Sequence, residues 1–275
     1  MTRKLSTIDN SIAGKVAVVT GAGSGLGRAT AHLLSDYDVK VAALDTNLDS
    51  IRTVVGEITA VYGEGAAHGW KCDVRSMVEI QEIVQQCLGF EANQWTSPNS
   101  EKRIQFLMDV NVTGTARMIS ASTPHLAKAA TEVDRPRLTK TPWVNPSRII
   151  NVDSAGPSGS TAYDISKRAV MGITRSACIR LGPMGIAVNA VCPGPILTPL
   201  TKAYTSPFIN EIAKIKPNRR AELLEDEAQG IVIMCMPGMS AMHGHFTMVD
   251  GGVNLKKYGH TYDFDALEAT GVKGK

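Results

Sequence analysis

Val16-Ala-Val-Val-Thr20-Gly21-Ala-Gly-Ser-Gly25-Leu-Gly27-Arg28 is the stretch whose reading decides the fold. A short β-branched run leads straight into glycines at 21, 23, 25 and 27, and a helix-compatible segment, Arg28–Leu34, follows at once. β-Branched residues suit a buried strand. Glycines allow a tight turn and let an anion reach the backbone N–H groups at a helix N-terminus. The spacing is Gly21-x3-Gly25-x-Gly27 and not a strict GxGxxG, because Leu26 occupies one of the positions. Its placement between a strand and a helix, more than the glycines alone, gives the motif meaning.

Outward from this unit the chain alternates. Further β-branched runs at Val39–Leu44, Arg148–Val152, Ile186–Val191 and Phe246–Val249 are separated by longer helix-compatible stretches. Alternation of this kind predicts a doubly wound parallel sheet with helices on both faces, an α/β fold of Rossmann type. The 275 residues fit one such domain, with a core over about 14–252 and a polar tail over 253–275. Two stretches break the rhythm. Ala129–Pro146 is rich in Pro, Thr and charge and reads as a long surface loop. Val253–Lys275 reads as a disordered tail or as an arm across a neighbouring subunit.

Composition narrows the class. The chain is 43% hydrophobic and 20% charged, with a net charge of +3 and scattered basic residues. That field is too weak to predict nucleic acid or an anionic membrane as partner. No apolar run approaches the ~18–20 residues of a membrane span, and the polar Met1–Asn10 lacks a signal-peptide core. Five widely spaced cysteines without a CxxC suit small core residues in a reducing compartment, so the cytoplasm is the expected location. His243-Gly-His245 has no third ligand at a zinc-like spacing, and no metal is expected.

The chemistry concentrates in a few positions. Tyr163 and Lys167 stand four residues apart, about 140 residues after the glycine loop. On a helix they share a face, and an ammonium there favours the ionised form of a phenol whose ordinary pKa is ~10. Such a pair makes a general base for work near neutrality; the same spacing also suits an ordinary amphipathic helix. Asp45 ends the second strand, where a carboxylate bonds the hydroxyls of a ribose and repels a 2′-phosphate. Ser24 and Thr46 offer that phosphate no cation, so NAD is expected over NADP. Asp45 equally suits the capping of a turn with Asn47. Asp73-Val74, after the third strand, is placed to flank an adenine.

Together these residues resemble the short-chain dehydrogenase/reductase family from about Gly14 to Gly252. The matches run in order: Thr20-Gly21-x3-Gly25-x-Gly27, Asp73-Val74, Asn111 in Asp-Val-Asn-Val-Thr-Gly, Ser154, Tyr163-x3-Lys167, Pro193-Gly194-Pro-Ile-Leu-Thr198 and Asp250-Gly-Gly252. The resemblance implies an oxidoreductase that interconverts a secondary alcohol and a ketone with a nicotinamide cofactor. It implies Tyr163 as general acid/base and Lys167 as the cation that lowers its pKa and grips the nicotinamide ribose. Ser154 would hold the substrate oxygen, and Asn111 would hold a water in a proton relay to Lys167. Gly21, Ser24, Gly25, Leu26, Gly27, Asp45, Asp73, Val74, Gly89, Ile196 and Thr198 would line the cofactor. It further implies a substrate lid over Lys202–Lys216, and a homodimer or homotetramer built on helices around Thr113–Ala127 and Ala162–Leu181.

The chain departs from the family pattern in three places. In place of an Asn-Asn-Ala-Gly turn it has Gln86-Cys87-Leu88-Gly89, after a short interval from Asp73. Ile83–Leu88 is therefore expected to be drawn into the fourth strand. Only nine positions separate Ser154 from Tyr163, so the segment between must turn quickly, or Ser158 or Ser160 takes over from Ser154. Ala129–Pro146 is an insertion. These departures keep open a member that binds nucleotide without turnover, and a dehydratase or isomerase using the same Tyr163. Trp95 and Trp143 fall in polar segments that assign them no role.

Overall fold

The computed structural model describes residues 11–76, 78–79, 101–131, 146–156, 161–196 and 216–255. In it β1 (Val16–Thr20) pairs in parallel with β2 (Lys40–Asp45), and β2 with β3 (Ala67–Lys71). A second parallel set has β5 (Ile186–Pro193) between β4 (Ser147–Val152) and β6 (Phe246–Val249). The crossovers carry α1 (Gly25–Asp36), α2 (Leu48–Tyr62), α3 (Glu101–Leu107), α4 (Thr115–Thr131), α5 (Thr161–Leu181) and α6 (Leu224–Cys235). Between α3 and α4 the helix widens into a π segment, Met108–Gly114.

The central strands show why a parallel sheet forms. Val41–Leu44 of β2 and Ile186–Cys192 of β5 are buried throughout, the near-continuous burial expected of strands covered on both faces. Ala31 and Leu34 of α1, Val41 and Leu44 of β2, and Ile51, Val54 and Ile58 of α2 share one core cluster. Val232 of α6 belongs to the same cluster, so α6 from the second half of the chain packs on α1 and the core of the first strand set. This is the doubly wound α/β fold of Rossmann type that the alternation predicts. Gly69 explains how closely α2 approaches: a Cβ there would overlap the Ile51 side chain.

Polar side chains fix the second half. The half-buried Arg148 guanidinium donates to the carbonyls of Met234 (3.3 Å) and Met236 (3.4 Å), satisfying the C-terminus of α6 from β4, and to that of Pro146. Burial holds its pKa below the usual arginine value. The Asn151 amide donates to Thr174 Oγ1 at 2.9 Å, tying β4 to α5. Asn189 donates to the Met242 carbonyl (2.8 Å) and accepts from the His245 amide (3.0 Å), which gives His245 a backbone role in leading into β6.

All five strand segments named from sequence appear, and α1 begins at Gly25, ahead of Arg28. The expected strand over Ile83–Leu88 and the Gly89 turn lie outside the described residues, as do Trp95, Trp143, most of 129–146 and most of the tail. Among the described residues no helix is long and apolar enough to cross a membrane. Cys72, Cys178, Cys192 and Cys235 are free thiols.

Candidate active site

The glycine loop folds back against the first turn of α1. A Cβ on Gly27 would overlap the Gly21 carbonyl and stand 2.7 Å from Thr20 O, so backbone fills the place of a side chain. Gly21 and Gly25 take positive φ, 66° and 50°. Ser24 is the N-cap in extended conformation, and its hydroxyl makes no capping bond. Ser24 therefore leaves the first-turn N–H donors of α1 without a side-chain cap, which suits an anion there.

Asp45 closes this cradle from β2. Its Oδ2 accepts from the Gly23 amide (3.2 Å) and its Oδ1 from the Asn47 amide (3.0 Å). The bond to Asn47 is the turn-capping role considered for it from sequence, and the bond to Gly23 sets the carboxylate against the glycine loop. Burial raises its pKa, opposed by the amides of Asn47 and Gly23. A Cβ on Gly23 would stand 2.7 Å from Asp45 Oδ2. A loop this tight, with open N–H donors and a carboxylate at its rim, fits a dinucleotide.

Asp73, expected from sequence to flank an adenine, is ion-paired within its own turn. Arg75 grips both its carboxylate oxygens at 2.5–2.9 Å, and its amide donates to Glu79 Oε2 at 3.0 Å. The guanidinium holds the Asp73 carboxyl below the usual range. Val74 is buried against Gly114 of the π segment and serves the core.

Around the predicted acid/base, α5 buries Ala162, Ser166, Val170 and Thr174 at a spacing of four. Tyr163 and Lys167 flank that stripe, half-buried. Lys167 Nζ lies 5.6 Å from the Tyr163 ring centroid and donates to the Val152 carbonyl at 2.9 Å. Ser154 sits where β4 ends. The amides of Asp153 and Ala155 still bond β5, at Val191 O (2.8 Å) and Pro193 O (2.9 Å), so the ladder holds Ser154 from both sides. Its hydroxyl donates to Gly156 O at 3.2 Å. A cavity of about 170 Å³ is lined by Ser154, Gly156, Asp164, Lys167 and Arg168. Tyr163 is not among its lining residues, whereas its neighbour Lys167 is.

Asn111 is held by a hydrogen bond to α5. It lies 8% exposed in the π segment, and its amide donates to Ser166 Oγ at 2.9 Å. That hydroxyl donates to the Tyr163 carbonyl at 2.8 Å. The amide thus fixes the first turn of α5 through Ser166, a residue to which the sequence assigned no role. Ile196 forms a parallel bridge with Glu222. Thr198, Gly89, Ser158 and Ser160 lie outside the described residues, as does the expected lid except for Lys216. That lysine is 1% exposed and ion-paired to the buried Glu222, so it belongs to the core. Among the described residues no three His, Cys, Asp or Glu side chains group as metal ligands.

A glycine cradle at the end of β1 and a Tyr–Lys–Ser group at the end of β4, each set of strands parallel, define a nucleotide-dependent oxidoreductase of Rossmann type. A family model described as enoyl-(acyl carrier protein) reductase matches residues 21–254. A 2,5-dichloro-2,5-cyclohexadiene-1,4-diol dehydrogenase of Sphingobium indicum is 30% identical over 263 residues, 88% of this chain and 98% of the relative. A cyclohexanol dehydrogenase of an Acinetobacter species is 28% identical over 261 residues, covering 90% and 98%. The solved 3-ketoacyl-(acyl-carrier-protein) reductase from Brucella melitensis, complexed with NADH, superposes with a TM-score of 0.76 at 25% identity, covering 89% and 100%. The chain belongs to the short-chain dehydrogenase/reductase family, oxidoreductases that act on CH–OH groups with a nicotinamide cofactor.

Proposed function

We propose that this chain interconverts a secondary alcohol and its ketone with Tyr163 as general acid/base, using NAD(H) in preference to NADP(H). The observation that carries the proposal is the Lys167 ammonium, 5.6 Å from the Tyr163 ring and bonded to the end of β4 beside Ser154. It stands at the carboxyl ends of the parallel strands, where ligands bind in open α/β sheets.

Gly21, Ser24, Gly25, Leu26 and Gly27 would hold the pyrophosphate, Asp45 the adenosine ribose, and Lys167 the second ribose. Ile196 and Thr198 would meet the carboxamide end. Bound there, the nicotinamide supplies or accepts the hydride. The protein does the rest. Tyr163 takes the hydroxyl proton as the alcohol becomes a ketone, or returns it in reduction. Lys167 stabilises the negative charge that this places on the Tyr163 oxygen. Ser154, whose hydroxyl is already a donor, turns to the substrate oxygen and orients the carbon. Asn111 and Ser166 hold the helix turn that carries Tyr163. Asp45 disfavours a 2′-phosphate by charge, which supports NAD. The ring alcohols named for the two dehydrogenase relatives make cyclic secondary alcohols the first substrates to try. Exposed Ile165 and Ile179 on α5 suit a homo-oligomer.

The test is reduced-nicotinamide absorbance across a panel of cyclic secondary alcohols, with NADH fluorescence as the binding measurement. Tyr163→Phe is expected to lose about 10²–10⁴-fold in turnover and to keep NADH affinity. Binding without turnover in the wild type, unchanged in Tyr163→Phe, would support a nucleotide-binding member without catalysis.

A further inference from the structure

Asp153 immediately precedes Ser154, and the mechanism above makes no use of it. It is 2% exposed, and neither carboxylate oxygen has a hydrogen-bond partner among the described residues. The neighbouring Ser154 amide eases its charge without reaching hydrogen-bond geometry. A buried carboxylate in that condition is costly. Its backbone is fixed by the 2.8 Å bond to Val191 O, so the side chain cannot swing out while β4 stays in register.

The charges that face it come from several elements. Lys167 and Arg168 on α5 lie near enough to favour its ionised form. Cys192 on β5 feels Asp153 together with Asp250, after β6, and Glu227, on α6. Burial outweighs the two cations and pushes the Asp153 carboxyl up to about 6, so it is ionised at neutral pH. Lys167 is not paired with it directly. The ammonium is bonded to the carbonyl of Val152, one residue before Asp153, and has the Tyr163 ring 5.6 Å away. Lys167 therefore neighbours both a fixed buried anion, which Arg168 also faces, and the phenol assigned as acid/base.

We propose that Asp153 is a positioning residue of the active site: its buried carboxylate is the counter-charge to Lys167 and sets how strongly that ammonium acts on the Tyr163 hydroxyl. The inference rests on the roles given to Tyr163 and Lys167 above. An ionised Asp153 offsets part of the Lys167 charge. Removing it leaves the ammonium less opposed and makes the phenolate easier to form. A unit charge acting over roughly 10 Å at an effective dielectric of about 20 shifts an ionisation by about one pH unit, about tenfold in phenolate fraction.

The experiment compares Asp153→Asn and Asp153→Ser with wild type in two readouts. The first is the ultraviolet phenolate titration of the free protein, taken as the difference from a matching Tyr163→Phe background so that only Tyr163 is seen. The second is the pH profile of kcat/KM for alcohol oxidation. Both variants are expected to move the Tyr163 ionisation, and the rising limb of the profile, about one unit to lower pH. A titration that stays in place overturns the proposal, as does a profile scaled down with its midpoint unmoved. Failure of both variants to fold also overturns it, since it would make the carboxylate a structural element. The titration needs no substrate, so it judges Asp153 even if the alcohol–ketone assignment fails; in that case neither wild type nor variant turns over.

Discussion

Glu227→Gln gives the most quantitative test of how the core is built. Glu227 lies in the first turn of α6 and is fully buried, with no hydrogen-bond partner for either oxygen among the described residues. The Gly194 amide is close enough to ease its charge but already bonds Val249 O at 3.0 Å. Lys216, the nearby cation, is committed to Glu222. Burial, reinforced by the Glu222 charge, raises the Glu227 carboxyl from 4.5 to about 8. The sign follows from linkage. A carboxyl raised on folding contributes its full stability below its unfolded pKa and loses it as pH rises through the folded value. The window is therefore about pH 4.5 to 8. A shift of that size corresponds to about 5 kcal/mol in total, of which about 4 kcal/mol falls between pH 5 and pH 9. Gln does not titrate, and its unsatisfied amide costs about 1–3 kcal/mol at every pH. Urea unfolding of wild type and Glu227→Gln at pH 5, 7 and 9 should show the variant gaining on wild type by about 4 kcal/mol across the range. A difference constant to within about 1 kcal/mol would refute the reasoning.

Two further outcomes follow from the cradle. Gly27→Ala places a methyl group into the Gly21 carbonyl, so the loop must open; NADH affinity by fluorescence should fall at least about tenfold, and unchanged affinity would show that the loop is not the cradle. Asp45→Ser removes the carboxylate beside Gly23. The ratio of kcat/KM for NADP to that for NAD should rise by about tenfold or more, and a ratio that does not move would place cofactor choice elsewhere.

How far the sequence revealed this depends on the residue. Gly27 was legible because a strand, a glycine turn and a helix must touch through backbone, and only glycine allows it. Asp45 was legible because strand alternation fixes where β2 ends. Tyr163 and Lys167 were legible because helical spacing alone puts them on one face. The pairing of Asp73 with Arg75 was not legible, because it forms in a turn that no periodicity announces. The bond from Asn111 to Ser166 was not legible. The β-branched and glycine residues of Val110-Asn-Val-Thr-Gly114 weaken a regular α-helix, and the π segment that results aims the amide at Ser166. The buried carboxylates were illegible. In Glu225-Asp226-Glu227, Asp226 accepts from the Leu223 amide and pairs with Arg220, while Glu227 turns inward by the helical twist. Sequence offers no mark that separates them. Lys216 was hidden for the same reason, since its pairing with Glu222 exists only once the chain folds.

The most direct test of the central claim uses a secondary alcohol deuterated at its carbinol carbon, with NAD and the wild-type protein, and mass spectrometry of the nicotinamide recovered. The account predicts that the label moves to the nicotinamide, and that Tyr163→Phe slows this transfer by about a hundredfold or more while still binding the cofactor. Recovery of unlabelled nicotinamide, or transfer at an undiminished rate in Tyr163→Phe, would contradict it.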